Sequence, residues 1–194
     1  FFRDRDFTKA EELFKSVIAS KSSHRMIAAG FLNKLYSAMK NPKAQQELLE
    51  AHRGESDYMS LAFAQFMYSH LDGLGRSDRR HRFLLNHIAI PLQQVLKHSK
   101  RNAYAANGIG VLFAEKNMMS DARDAFAAAG CCLDATKATR VNLSHSTIAL
   151  AKAAVRAQNE NAGPGMRYTT ANVANARGLC EQAEKLYSDA AEEI

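Results

Sequence analysis

The sequence predicts an all-α fold built from helix pairs, and three observations lead to that prediction. Ala, Leu, Met and Phe are plentiful, and Pro occurs only three times in 194 residues. Because Ala is the strongest helix former and Pro the strongest helix breaker, this composition favours helices. The third observation is a triplet of a usually small, a large and an apolar residue that recurs at positions i, i+4 and i+7. Residues with this spacing lie on one face of a helix.

The recurring triplet has the same spacing at two of its four steps. Its five occurrences are Ala10, Phe14 and Val17; Ala44, Leu48 and Ala51; Ile88, Leu92 and Val95; Ala122, Phe126 and Ala129; and Ala183, Tyr187 and Ala190. The step from Ala10 to Ala44 is 34 residues, and so is the step from Ile88 to Ala122. The other two steps, of 44 and 61 residues, exceed this period by 10 and 27, as loop insertions would. A period of 34 residues is that of the tetratricopeptide (TPR) repeat, a helix–turn–helix unit.

We therefore predict a right-handed superhelical stack of TPR helix pairs, with about four full repeats and a partial one, as a single solenoid over 1–194. The predicted units are the second helix of a truncated repeat at 4–20 and full repeats at 24–53, 57–100, 102–134 and 137–194. Turns are expected at Asn41-Pro42, in an enlarged segment 72–82, and at Asn117. The last repeat should be interrupted near 159–168, where Asn-Ala-Gly-Pro-Gly breaks any helix. Since the chain begins at Phe1 rather than Met, we expect it to be a fragment of a longer protein.

The upstream helix of each predicted pair should approach its neighbour closely. A large position is held by Phe31, Phe63, Ile109 and Leu143, and the position after it, which is mostly small, by Leu32, Ala64, Gly110 and Ser144. A small residue there lets the neighbouring helix come near, and the large residue fills the space beside it. Pro91 departs from the pattern because it lies inside a predicted second helix. It should either kink that helix or mark its first turn.

The sequence contains no pattern of residues that indicates catalysis, a cofactor or a metal. Cys131, Cys132 and Cys180 lack paired C-x-x-C spacing, which favours a reducing compartment with free, mostly buried thiols. Gly108-Ile109-Gly110 is not a dinucleotide fingerprint, because Phe113 occupies the position of the third glycine. No apolar run approaches the roughly 18 residues of a membrane span. We expect a non-enzymatic protein without cofactors.

Two groups of residues are candidates for partner binding. The first lies on the first helices of two repeats and comprises Asn107, Val111, Asn142 and His145; each could instead be a plain contact between repeats. The second is the cluster of Arg76, Arg79, Arg80 and Arg82 in a chain of formal charge +6. Such a cluster can bind phosphates or an acidic peptide. No aromatic residue interleaves with it, so stacking on bases is not supported, and it could also be a solvated loop.

One segment is more specific than a generic TPR helix. The residues Asn-Ala-Tyr-Ala-Ala-Asn-Gly-Ile-Gly from Asn102 onward, followed by Asp-Ala-Arg-Asp-Ala-Phe from Asp121, closely resemble the TPR scaffold subunit of the RNA polymerase II-associated factor (Paf) complex. Ser-Asp-Tyr-Met-Ser from Ser56, the Arg-rich insert, and Leu-Gln-Gln-Val-Leu from Leu92 are similar to that family too. Val141-Asn-Leu-Ser-His resembles its Trp-x-Asn-Leu-Ala-His. The likeness covers about 57–150, whereas Pro91 and the insert at 156–173 depart from the family pattern.

This resemblance implies a large nuclear scaffold. Such a subunit holds the other members of the Paf complex on elongating RNA polymerase II and, through them, promotes co-transcriptional histone modification. The expected partners are therefore other Paf-complex subunits and RNA polymerase II, with a possible acidic protein or nucleic acid at the Arg-rich loop and no membrane. The alternative is a TPR adaptor of a ribonucleoprotein or RNA-processing assembly that uses the basic loop 76–82.

Overall fold

The computed structural model describes residues 6–20, 22–71, 73–161 and 170–192, and within them the chain forms nine α-helices and no β-strand. The helices are α1 Phe7–Ala19, α2 Arg25–Ala38, α3 Pro42–Ala51, α4 Asp57–Tyr68, α5 Arg79–His98, α6 Ala103–Glu115, α7 Met119–Gly130, α8 Lys137–Asn161 and α9 Thr170–Glu192. The prediction of an all-α fold is confirmed. Of the interruption predicted near 159–168, residues 159–161 instead belong to α8, and residues 162–169 lie outside the described part of the chain.

The chain divides into two compact units, Phe1–His98 and Ser99–Ile194. In each unit every helix packs against the next one along the chain. In addition α2 contacts α4 in the first unit, and α6 contacts α8 in the second. Helices that the sequence assigns as the first members of successive repeats are therefore neighbours within both units. The continuous superhelical TPR stack over 1–194 stays a prediction.

Two clusters of the first unit's core lie between its first four helices. One cluster contains Ala29, Leu49, Met59, Phe63 and Phe66, and a second contains Ala10, Leu32, Leu35 and Tyr36. Ile18 and Leu48 pack against both clusters, so the two form a continuous apolar interior. Burial of these side chains is the main term that stabilises the stacked helices, at about 25 cal/mol per Å² of apolar surface.

The structure shows where the predicted repeat positions lie. The buried ones are Ala10, Ala64, Leu92, Gly110, Ala122, Phe126 and Ala183, and the half-buried ones are Phe14, Ala44 and Leu48. The side chain of Tyr187 lies outside the described residues. In α3 the register differs from the prediction, because Leu49 is the fully buried residue and Ala51 is exposed. Phe31 also differs from Phe63, since 46% of it is exposed and its ring stacks on that of Phe14 at a centroid distance of 5.8 Å.

Two turns share one backbone geometry. Lys40, after α2, and Asn117, after α6, both adopt positive φ, at 53° and 60°. The following amide donates to a carbonyl five residues back, from Asn41 to Tyr36 at 3.0 Å and from Met118 to Phe113 at 2.8 Å. This is the Schellman ending of a helix, in which a residue in the left-handed conformation reverses the chain. Asn117 therefore occupies the turn that the sequence assigned to it.

Helix α5 begins earlier than the sequence predicts. The segment 72–82 was expected to be a loop, whereas α5 starts at Arg79. Asp78 explains the start, because its carboxylate accepts a hydrogen bond from the Arg80 amide at 2.8 Å, as side chains before a helix often do. Pro91 lies inside α5 and is buried, so it does not mark a first turn. The proline removes one backbone donor and the helix nevertheless continues on both sides.

A polar trio joins α1 to α2. The Tyr36 hydroxyl donates a hydrogen bond to the Glu11 carboxylate at 3.0 Å, and the Lys15 ammonium lies 2.6 Å from the same carboxylate. The hydrogen bond from Lys15 is the main cause that lowers the pKa of Glu11 from its ordinary value of 4.5, and the Tyr36 hydroxyl adds to it. A lowered carboxylate pKa stabilises the fold above the unfolded-state pKa, and this stabilisation is lost as the pH falls through the folded-state pKa.

The variant Glu11→Gln is therefore expected to reduce the loss of stability on acidification. Between about pH 6 and about pH 3 the urea midpoint of the parent protein should fall more steeply than that of the variant. The measurement is urea unfolding followed by circular dichroism at a series of pH values. Glu12→Gln removes the same charge from an exposed position of α1 and controls for the change in net charge. If the urea midpoint falls equally steeply with pH in Glu11→Gln and in the parent protein, the trio does not stabilise the fold.

Candidate partner-binding surfaces

The first candidate surface joins α6 and α8. The Asn142 side chain donates a hydrogen bond to the side-chain oxygen of Asn107 at 3.1 Å, and both residues are half-buried. They are 35 residues apart, one more than the predicted period, so neighbouring rather than equivalent positions of successive repeats meet. Each carboxamide has two donors and one acceptor, so this one bond does not exhaust either group. Val111 is half-buried on α6, and His145 is exposed on α8.

Close packing behind this surface depends on Gly110. A Cβ atom built on Gly110 would lie 2.5 Å from Cδ1 and 3.0 Å from Cζ of Phe126. Contacts of this length are not tolerated, so only glycine lets the Phe126 ring lie against the α6 backbone. Ala122, one turn before Phe126 on α7, is completely buried. The small residue on α6 and the large residue on α7 thus fix the distance between these helices.

Buried hydroxyl groups line α8, and of their residues only Ser144 was predicted to pack closely against a neighbouring helix. Thr139, Ser144, Ser146 and Thr147 are each at most 3% exposed. The hydroxyls of Ser146 and Thr147 both donate to the Leu143 carbonyl at 2.8 Å, and that of Ser144 donates to the Arg140 carbonyl at 3.0 Å. Because these bonds stay within the helix, the small polar residues can face a neighbouring helix without an unsatisfied group.

The second candidate surface is the start of α5. Arg76, Arg79, Arg80 and Arg82 are all exposed. His81 does not belong to this surface, because it is only 3% exposed and lies on the buried face of α5 with Leu85. Phe83 follows the arginines and is 59% exposed. The centroid of its ring lies 4.0 Å from the centroid of the His87 ring. An accessible aromatic ring therefore adjoins the end of the basic cluster, although no aromatic residue lies within the cluster.

Two hollows on the α2–α4 face form a third surface, which the sequence analysis missed. The polar hollow has a volume of about 690 Å³ and the apolar one about 330 Å³. The polar hollow is lined by Asn33, Lys34, Ser37, Pro42, Gln45, Tyr58, Ala62, Gln65, Phe66, Ser69 and His70. The apolar hollow is lined by Met26, Ile27, Gly30, Phe31, Lys34, Ser56 and Tyr58. Lys34 and Tyr58 belong to both, so the two hollows adjoin; we call them together the α2–α4 groove.

No three His, Cys, Asp or Glu side chains of the described ranges lie together in a way that could hold a metal ion. None of the helices in that part of the chain is long and apolar enough to span a membrane. The three cysteines are free, but the expectation that they are mostly buried is wrong. Cys131 caps the end of α7 and Cys180 lies on α9, and both are exposed, while Cys132 is half-buried.

Comparisons of the chain with models of known protein families, with curated proteins and with solved structures give no match. The structure on its own therefore defines the class of protein as an all-α chain whose consecutive helices pack together within two compact units.

Proposed function

We propose that this chain is a non-enzymatic protein-binding scaffold of stacked TPR helix pairs, and that it acts in the Paf complex during transcription elongation by RNA polymerase II in the nucleus. The observation that carries the proposal is the run from Tyr104 to Gly110, which resembles the scaffold subunit of that complex. This run lies on α6, where Gly110 adjoins Phe126. The most specific part of the resemblance therefore coincides with a position where the packing admits only glycine.

The arrangement of helices supports the scaffold part of the proposal. Helix pairs that cannot bury their apolar faces alone stack on neighbours, and the stack offers extended surfaces for partners. The contacts of α2 with α4 and of α6 with α8 agree with such stacking inside each unit. The bond between Asn107 and Asn142 joins α6 and α8, the first helices of two repeats. If the stack curves as TPR arrays do, a partner segment would lie along these first helices.

Affinity purification from nuclear extract tests the Paf proposal. The tagged full-length protein should recover other Paf-complex subunits and RNA polymerase II, identified by mass spectrometry. The doubly substituted variant Asn107→Ala, Asn142→Ala should recover fewer of them, by about tenfold if both amides contact a partner. A variant with Asn86→Ala, at an exposed asparagine of α5, is the matched control. Recovery of chaperones or of no nuclear protein would contradict the proposal.

A specific observation favours a second function, an adaptor of a ribonucleoprotein. The exposed arginines at the start of α5 adjoin the exposed ring of Phe83, and basic groups with a stacking ring are the features that bind single-stranded RNA. For this function, RNA binding should weaken steeply with salt, and substitution of Arg79, Arg80 and Arg82 by Ala should flatten the salt dependence by about two units of slope. A salt dependence that the three substitutions leave unchanged would exclude the Arg cluster as an RNA site.

A further inference from the structure

The α2–α4 groove contains groups that suit the backbone of an extended peptide. Its polar half is lined by amides and hydroxyls, including Asn33, Gln45, Gln65 and Ser69. These groups both donate and accept hydrogen bonds, as the peptide N–H and C=O groups require. The Gln45 amide donates to the side-chain oxygen of Asn33 at 2.9 Å, and this bond holds the two side chains in place before any ligand arrives. A backbone segment bound here would thus meet positioned partners.

The apolar half of the groove can hold one large side chain. Ile27, Phe31 and Tyr58 are 59%, 46% and 45% exposed, and all three line the same hollow. Single exposed apolar residues are common, but three around one concavity form a patch that favours an apolar ligand group. Gly30 contributes to the shape, because a Cβ atom there would lie 2.9 Å from Cε1 of Tyr58. The tyrosine ring therefore lies directly against the α2 backbone.

The charge of the groove selects among peptides. Lys34 lines both hollows, and its ammonium lies 6.0 Å from the centroid of the Phe31 ring. Among the described residues that line the two hollows there is no Asp or Glu. The groove is thus positive where its polar and apolar halves meet, within a chain of net charge +6. Its electrostatic complement is a carboxylate placed next to a large apolar side chain.

We propose that the α2–α4 groove binds an extended acidic peptide of a partner protein. The peptide places one large apolar side chain among Ile27, Phe31 and Tyr58, and a neighbouring carboxylate pairs with the Lys34 ammonium. The peptide backbone lies along the amides of the polar half. This inference rests on the proposed function only in treating the chain as a protein-binding module, and it does not require the partner to belong to the Paf complex.

Fluorescence polarisation tests the inference directly. The probe is a fluorescein-labelled peptide with aspartates on both sides of one central phenylalanine, and the comparison peptide carries asparagines in their place. The aspartate peptide should bind at least about tenfold more tightly, because a charge-assisted hydrogen bond contributes more than a neutral one. Lys34→Glu and Ile27→Glu should each weaken binding by about tenfold or more, since both introduce a carboxylate beside the peptide.

The two variants change exposed side chains, so the fold should survive, and circular dichroism and thermal melting check this. Lys97→Glu makes the same charge change on the exposed face of α5 and should leave peptide binding unaltered. Equal binding of both peptides, or unchanged affinity in Lys34→Glu, would overturn the inference. So would a single-stranded RNA that binds more tightly than the peptide and is lost in Lys34→Glu.

The affinity purification described above separates this inference from the Paf proposal. Loss of peptide binding in Lys34→Glu together with recovery of non-nuclear partners would support the groove and contradict the Paf complex. Recovery of Paf subunits by a parent protein that does not bind the acidic peptide would support the complex and overturn the groove.

Discussion

Replacing Gly110 by Leu is expected to lower the free energy of unfolding of the second unit by about 3 kcal/mol. A Cβ atom alone would lie 2.5 Å from Cδ1 of Phe126, and leucine adds three more carbon atoms in the same direction. Phe126 is only 2% exposed and lies between helices, so its ring has little room to move away. Because α6 and α7 cannot separate without exposing their apolar faces, the overpacking lowers the free energy of unfolding.

A second glycine of the same unit provides the matched control. Gly178 lies within α9, and a Cβ atom there would meet no atom within 4 Å. Gly178→Ala should therefore stabilise the protein by about 0.5–1 kcal/mol, since alanine loses less conformational entropy in a helix than glycine does. Urea unfolding of Gly110→Leu, Gly110→Ala and Gly178→Ala measures the three effects. Stabilisation by Gly110→Ala would show that α6 and α7 are not in close contact at this point.

The contact of Gly110 with Phe126 could be anticipated because it depends on local spacing. The triplet identifies the large residue on α7. The short turn at Asn117 brings this residue back against the small residue on α6. The position of Phe31 could not be anticipated in this way. It holds the same position in its repeat as Phe63. Nevertheless Phe31 is half exposed and stacks on Phe14 of α1, whereas Phe63 is buried.

Among the candidate surfaces, too, one could be predicted from the sequence and another could not. Asn107 and Asn142 could be selected one by one from their helical positions, and the period of 34 residues placed them within one residue of the same register. The α2–α4 groove could not be found from the sequence, because a hollow exists only once two helices have a defined separation. Gly30 sets that separation through its contact with Tyr58. The spacing of these two residues in the sequence does not predict the contact. The burial of His81 among the exposed arginines could not be anticipated either, because the start of α5 was not predicted.

The last prediction compares two phenylalanines on consecutive helices of the first unit. Phe63 on α4 is 2% exposed and belongs to the core cluster with Ala29, Leu49 and Met59. Its ring also lies 5.2 Å from the guanidinium carbon of Arg53. Phe63→Ala should lower the free energy of unfolding by about 3–5 kcal/mol, because it removes a buried ring and leaves a cavity. Urea unfolding followed by circular dichroism measures this loss.

Phe83→Ala on α5 is the control for this loss, and it also tests the role of the exposed ring. With 59% of Phe83 exposed, the substitution should change the free energy of unfolding by no more than about 0.5 kcal/mol. If the start of α5 binds single-stranded RNA, the same variant should nevertheless weaken RNA binding, since stacking on a base contributes about 1–3 kcal/mol. A ring that matters for binding and not for stability is an interface residue. A large loss of stability in Phe83→Ala would instead place the ring inside the packed part of the fold.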